Sequence, residues 1–420
     1  MPFSRSACRV LILTGLVGCS SRNTRPAPDD PPPEVTAHRW VESPLTPPSM
    51  RTERLAASSL AEVLKAKIDH PPPDAHPKNI LCLAAGGKYS AYYAGQIVGW
   101  KAHGTRPKFD IATGVSSGAL VAAYAFLGDK YDDRMTKFYT TVESKDLFKV
   151  RPLYYYLKSG SIASVDPLKK LIDQEVSNGV VEDLRIAYGE GRRLYIGTMD
   201  LHTRRLVVWD LTGIAASGRP DAECLIAKVL LTACAVPGMV APIEYDVEVD
   251  GVHYTERHMD GGGVTQAFVR FPAEYASIGP DGQPSLTGLT GSNMYVFSAG
   301  KLWADSVPST IGLFGKVKAV TSASLYALYR ADLYRLYVKC VAGGMRFMMT
   351  ALPQDFPISL GSMEIKPGEF KQMFDAGYAD AAAGIKWRAL PPGSEPGEEE
   401  MPRTGLSFQT LPAEPIIYPK

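Results

Sequence analysis

The chain has 420 residues, with 45 basic and 44 acidic side chains and a formal net charge of +1 at pH 7. Its 45% hydrophobic and 21% charged content are those of a globular protein that can bury a large core, in about one to three domains. The balanced charge gives no global field for nucleic acid. The sequence also shows neither Cys/His metal spacing nor a G-x-x-x-x-G-K-[ST] phosphate loop, so no nucleic-acid partner, metal or cofactor is expected.

The N-terminus reads as an export signal. Arg5 and Arg9 precede an apolar stretch over 10–17, too short to span a bilayer. The segment ends Leu16-Val17-Gly18-Cys19, which resembles the lipobox of bacterial lipoproteins. That resemblance implies cleavage before Cys19, acylation of Cys19, and anchoring in the cell envelope with the body in the periplasm or on the surface. Ser20, in place of Asp, favours the outer membrane. Several acyl chains would anchor the chain stably, at about 0.8 kcal/mol per buried methylene.

From 20 to 78 the chain reads as a tether. Pro26, Pro28, Pro31, Pro32, Pro33, Pro44, Pro47 and Pro48 favour an extended segment. Leu55, Leu60, Val63, Leu64 and Ile68 then space a short helix, stopped by Pro71, Pro72, Pro73 and Pro77.

The folded core is expected to begin at Asn79. The apolar run 80–85 predicts a buried parallel strand, followed by Gly86-Gly87-Lys88-Tyr89-Ser90 and a helix over 91–100. A second strand over 109–113 leads into Gly114-Val115-Ser116-Ser117-Gly118 and a helix over 119–127. Helices are predicted over 132–148 and 166–176, a hairpin from 194–198 and 205–209, and a helix over 221–235. Tyr154-Tyr155-Tyr156 reads as half-buried packing or an aromatic mouth. The run 243–249 alternates as an exposed strand does, and a polar stretch over 254–258 precedes Asp260-Gly261-Gly262-Gly263. A late core strand over 294–298, a long helix over 316–341, an edge strand over 345–352 and a closing helix over 368–385 complete the body. From 388 to 420 the Pro/Glu-rich composition predicts a mobile tail. Strands alternating with helices define an α/β fold with a largely parallel sheet. Of the cysteines beyond the signal, Cys82 and Cys234 read as small core residues. An exported chain would also permit bridges among Cys82, Cys224, Cys234 and Cys340.

Three stretches carry chemistry. Ser116 in G-x-S-x-G between strand and helix is a nucleophile elbow, its hydroxyl held at the strand end beside a helix N-terminus. Gly86-Gly87 can aim successive backbone N–H groups at one oxyanion. Asp260 on a glycine-rich corner can approach a serine closely and take its proton. Each piece alone also reads as a turn; their order is what combines them.

That order resembles the patatin-like phospholipases, and among them bacterial lipoproteins with a patatin domain. The resemblance runs from Ile80-Leu81-Cys82-Leu83-Ala84-Ala85-Gly86-Gly87-Lys88-Tyr89-Ser90 and Gly99-Trp100 through Phe109-Asp110-Ile111-Ala112-Thr113-Gly114-Val115-Ser116-Ser117-Gly118-Ala119-Leu120. It continues in Val207-Val208-Trp209-Asp210, Ala233-Cys234-Ala235-Val236-Pro237-Gly238 and Asp260-Gly261-Gly262, and covers about 79–384. It implies a three-layer α/β/α fold and a lipid acyl hydrolase of phospholipase A or lysophospholipase type, acting on membrane lipids. Ser116 and Asp260 would form the catalytic dyad, with backbone N–H groups of Gly86, Gly87 and Lys88 as the oxyanion hole. Three positions depart from the family: Tyr89 stands where plant patatins often carry Arg or Lys, with Lys88 one place earlier, Ala85 stands for the first glycine of its G-G-G and Ser90 for the last glycine of the loop. At positive φ the Cβ of Ala85 or Ser90 would be strained by about 1 kcal/mol or more. Lys88 also has a side-chain reading, as a solvated loop lysine or a contact for a phosphate head group.

Two alternatives follow from the same residues. One is a patatin-fold lipoprotein with weakened catalysis that binds lipid or envelope partners. The other is an α/β-hydrolase esterase whose triad takes its histidine from His253 or His258 and its acid from Asp246 or Asp250.

Overall fold

In a computed structural model, the described residues are 39–41, 64–65, 67–69, 75–151, 161–249, 251–272, 275, 277–278, 284–303, 312–357 and 365–394. The export signal, Cys19, most of the tether, Tyr154-Tyr155-Tyr156 and the tail from 395 lie outside them.

In chain order the main elements are strand β1 (Arg39–Val41), β2 (Asn79–Leu83), helix α1 (Ser90–Ala102), β3 (Ile111–Val115), α2 (Ser117–Leu127) and α3 (Asp132–Thr141). Then come α4 (Asp166–Glu175), α5 (Val181–Gly189), β4 (Arg193–Asp200), β5 (Arg205–Asp210), α6 (Leu211–Ala216) and α7 (Ala222–Ala233). A hairpin follows, β6 (Ile243–Val249) and β7 (Val252–Asp260), and then β8 (Asn293–Phe297), α8 (Leu313–Gly343), β9 (Arg346–Thr350) and α9 (Glu369–Ala382). Among the described residues the nine strands form one sheet, in the order β1-β5-β4-β3-β2-β8-β9, with β7 on β4 and β6 on β7. The five strands β4-β3-β2-β8-β9 are parallel; β5, β1, β7 and β6 join antiparallel.

The strands are apolar on both faces because both faces are covered. Leu81, Leu83, Ala112, Leu194, Ile196, Tyr295 and Phe297 point into one core with α1, α2, α7 and α9. Their neighbours Ile80, Cys82, Ile111, Tyr195, Met294, Val296, Phe347 and Met349 point into a second core against α8. The period-2 alternation thus sorts one hydrophobic run into two cores, as a three-layer α/β/α architecture requires.

Four features differ from the sequence expectations. The helix expected over 132–148 stops at Thr141, because Val142 and Glu143 are extended and Glu143 opens a new turn through a capping box with Asp146. The polar stretch over 254–258 is part of β7, which pairs with β6 from Val252 to His258 and carries few apolar residues because its outer part is exposed. Arg39–Val41, inside the stretch read as tether, adds an edge strand to β5. The tail does not leave the body at 388. Arg388 and Met349 exchange both backbone hydrogen bonds (2.8 and 2.9 Å), the Trp387 ring packs 5.2 Å from Trp100, and Pro391 and Pro392 are buried. Cys82 and Cys234 are buried free thiols, as expected of core residues; Cys340 is also buried and free, and Cys224 is free and exposed.

Candidate active site

The sheet itself brings Ser116 and Asp260 together. β3 runs parallel to β4 until Val115 lies opposite Gly197. There β3 ends, and β7 enters the same lane from the other direction, with Asp260 opposite Thr198. Two strands thus meet end to end on adjacent residues of β4. Ser116 follows the last residue of one and Asp260 is the last residue of the other. Ser116 Oγ donates to Asp260 Oδ2 at 2.6 Å, across 144 residues of sequence.

Ser116 sits at φ 54°, ψ −135°, a conformation that L-residues avoid. Ser116 and Arg204 are the non-glycine residues at positive φ among the described residues. The turn is tight enough that a Cβ at Gly118 would lie 2.6 Å from Leu83 O, and one at Gly114 2.6 Å from Gly118 O. The G-x-S-x-G spacing is therefore enforced by backbone on both sides, which keeps the serine at the C-terminal edge of the parallel strands.

Asp260 is 4% exposed and Ser116 8%. Burial pushes the Asp260 carboxyl up to about 6, opposed by the hydrogen bond from Ser116 and by Gly262 N, which donates to Oδ1 at 2.8 Å. Those two bonds occupy one lone-pair direction on each oxygen and aim Oδ2 at the serine. The Cys234 thiol lies below the corner, 3.8 Å from Ser116 O, and burial raises its pKa so that it stays neutral.

The glycine turn lies beside this pair. Gly86 caps a 3-10 turn over Gly87–Tyr89, whose leading N–H groups precede any intrahelical acceptor. Gly87 is at φ +53°, so the positive-φ position of the loop is still a glycine. Ser90 is helical at φ −58°; its hydroxyl donates to Gly87 O at 2.9 Å and pairs with Tyr139 OH at 2.9 Å. Ala85 has no positive φ, and its N–H donates to Gln266 O at 2.8 Å. The strain expected from a Cβ at Ala85 and Ser90 is therefore absent. At Gly86 the constraint is space: an added Cβ would fall 1.8 Å from Ala299 Cβ. Gly86→Ala is expected to displace the turn and lower kcat at least about tenfold, and Ala299→Gly in the same chain to restore most of it. Kinetics of the two single variants and the double variant check this.

Lys88 is not a solvated loop lysine. Its side chain is buried, and Nζ meets Glu369 Oε1 at 2.9 Å at the start of α9. The ammonium is turned away from solvent, so neither side-chain reading from the sequence holds. The pair instead ties the glycine turn to α9.

Two further residues organise the corner and carry no motif. Gln266 Nε2 donates to Gly262 O, and Gln266 O accepts from Ala85 N, so one residue holds the acid corner and the glycine turn in register. Asp332 of α8 fixes Gln266 in turn, accepting from its backbone N–H at 2.7 Å and from Thr265 Oγ1 at 3.0 Å. Burial raises the Asp332 carboxyl. One signal was available: Asp332 is an acid at i, i+3 and i, i+4 spacing from Tyr329 and Leu336, on the face that enters the core.

The histidines take no part in the corner. His258 is fully buried on β7, with Nδ1 3.2 Å from Thr198 Oγ1 and Nε2 3.0 Å from Glu256 Oε2. His253 is exposed beside Glu248. The hydroxyl of Ser116 already has its acceptor in Asp260, and no Ser-His-Asp chain forms among the described residues.

A parallel sheet that presents a serine on a sharp strand–helix corner, with a buried carboxylate as its direct partner, defines an α/β protein with a Ser–Asp pair. The family model of patatin-like phospholipases matches residues 81–276. Over that stretch, just under half of its length, the chain is similar to patatin-like phospholipase domains. Among solved structures, VipD from Legionella pneumophila matches at 12% identity over 73% of this chain and 66% of its own, with a TM-score of 0.31. No curated protein matches the sequence.

Proposed function

We propose that the chain hydrolyses ester-linked acyl chains of membrane lipids through Ser116 and Asp260. The observation that carries this reading is the 2.6 Å hydrogen bond from Ser116 Oγ to Asp260 Oδ2 at a strained elbow. Asp260 takes the proton as Oγ attacks the ester carbonyl. The carbonyl oxygen becomes an oxyanion against the N–H groups of Gly86, Gly87 and Lys88, each such donor contributing about 3 kcal/mol to the transition state. Collapse breaks the ester C–O bond; Asp260 returns the proton to the leaving alcohol and the acyl group stays on Ser116. Water then attacks the acyl-serine with Asp260 as base, releasing the fatty acid and restoring the serine. No metal or cofactor enters any step.

The raised carboxyl suits the task, since a base with a pKa near 6 is a stronger proton acceptor than an ordinary aspartate and is still ionised at neutral pH. The base must be ionised, so kcat/KM is expected to fall about tenfold per pH unit below about 6 and to level above it. A flat kcat/KM profile between pH 5 and 7 would contradict this.

The lipobox-like end at Cys19 supports the further proposal that the mature chain is an acylated envelope protein, its body in the periplasm or on the cell surface. Incorporation of labelled palmitate that is lost in Cys19→Ser tests it. The substrate test incubates bacterial membranes with wild type and Ser116→Ala and compares lipids by mass spectrometry. Free fatty acid and lyso-lipid that appear with wild type alone are expected; equal profiles would overturn the assignment.

A further inference from the structure

The outer half of α8 reaches beyond the body on the side where Ser116 lies. α8 spans 31 residues, about 46 Å at 1.5 Å per residue. Its C-terminal end sits at the N-terminal edge of the sheet: Gly291 N donates to Gly344 O, and Arg346 N donates to Ser292 O just before β8. Back along the helix, Asp332 already holds Gln266 at the acid corner, and Arg330 Nη1 donates to Leu302 O, beyond the C-terminal end of β8. The helix therefore reaches the level of the active edge near Arg330. Residues 313–328, about 24 Å of helix, project past it.

Those of the sixteen whose side chains are described are all outside the core. Val317 is 58% exposed, Val320 66% and Leu325 38%, and their spacing places them on one side of the helix. The charge is one-sided as well. Lys316, Lys318 and Arg330 fall between Asp305 and Asp332, and no acidic residue does. None of the helices among the described residues is long and apolar enough to cross a membrane.

We propose that residues 313–328 form an interfacial arm that lies on an anionic lipid surface and turns the Ser116 edge towards it. Exposed valines and leucine on one side of a helix with lysines and no acids are what an interfacial helix uses: the apolar side chains enter the acyl boundary and the ammonium groups stay at the head groups. The same charge disfavours a second copy as occupant, because two arms side by side bring two basic segments without acids together. The arm deepens the hydrolase reading, since it would deliver the lipid substrate to the edge that carries Ser116.

The test uses the full chain with vesicles of phosphatidylcholine alone or with one third phosphatidylglycerol, and hydrogen exchange read by mass spectrometry. On the anionic vesicles, exchange is expected to slow across 313–328 and to stay unchanged over 104–108, at the opposite edge of the sheet. Val317→Asp/Val320→Asp is expected to lose that protection and to hydrolyse vesicle lipid at least about tenfold more slowly, while cleaving a soluble short-chain ester as wild type does. Ser116→Ala should keep the protection, so vesicle binding is read independently of catalysis. A lipid anchor at Cys19 would tether the chain without slowing exchange at 313–328. Unchanged exchange there on anionic vesicles would overturn the proposal, as would equal vesicle hydrolysis by the double variant. So would a dimer that the double variant loses while vesicles give no protection.

Discussion

Ser116→Gly is expected to abolish hydrolysis and yet to fold more stably than Ser116→Ala. Both variants lack the hydroxyl, so both should lose on the order of 10⁴-fold or more in kcat, leaving whatever the glycine turn and lipid binding supply alone. They differ in the backbone. At an ordinary site glycine costs about 0.5–1 kcal/mol relative to alanine, because it has more freedom to lose on folding. At φ 54°, ψ −135° the order reverses, since any Cβ there clashes with its own backbone. Glycine should therefore be the more stable of the two by about 1 kcal/mol, read as a difference in denaturant midpoint at equal slope. Alanine as stable as glycine would mean that the elbow is not strained. Substantial activity in either variant would remove Ser116 from the mechanism.

The second large effect is expected at Asp260. Asp260→Asn keeps the size and can still meet Gly262 N, but it removes the proton acceptor for Ser116. kcat should fall about 10³-fold or more with KM little changed, because the carboxylate acts on the reacting serine and does not hold the lipid. Stability should move the other way. Burial raises the Asp260 carboxyl from its model-peptide value to about 6, so the folded state binds its proton more tightly than the unfolded state does. Between about pH 4 and 6 the native state therefore carries more protons, and this group's contribution to stability declines as pH rises. Above about 6 the full cost, on the order of 2–3 kcal/mol, is present. Asp260→Asn has no such cost and should gain on wild type as pH climbs from 4 to 7. Unfolding curves of the two proteins at pH 4.5 and 7.5 measure this; a constant difference between them would mean that the carboxyl is not raised. Loss of activity together with a gain in stability is the signature of a residue retained for chemistry.

Much of this site is legible in the sequence because its parts are local. Gly114-Val115-Ser116-Ser117-Gly118 names its own turn, and the apolar runs on either side fix strand and helix. Gly86-Gly87 and Asp260-Gly261-Gly262 likewise announce corners. The two core faces follow from strict alternation in runs such as Ile80-Leu81-Cys82-Leu83. What could not be read is what depends on distant pairing. The lane shared by β3 and β7 exists because both pair with β4, and nothing local in Val252–Asp260 marks a strand: its side chains are mostly polar, and burial is confined to its last three residues. Lys88 looks like a loop cation until α9 brings Glu369 to it across 281 residues. Gln266 and Asp332 lie 66 residues apart and act through backbone groups, which leave no mark on composition. Ala85 and Ser90 carried the opposite lesson. Departures from a family's glycine pattern matter only where φ is positive, and here that position is Gly87.

The central claim is that Ser116 is a nucleophile activated by Asp260, and a fluorophosphonate probe tests it most directly. Wild type is expected to form a one-to-one phosphonyl adduct on Ser116, located by peptide mass spectrometry, with a labelling rate that rises with pH through about 6. Ser116→Ala should not label, and Asp260→Asn should label at least about a hundredfold more slowly. An adduct on any other residue, or labelling of Asp260→Asn at the wild-type rate, would contradict the account.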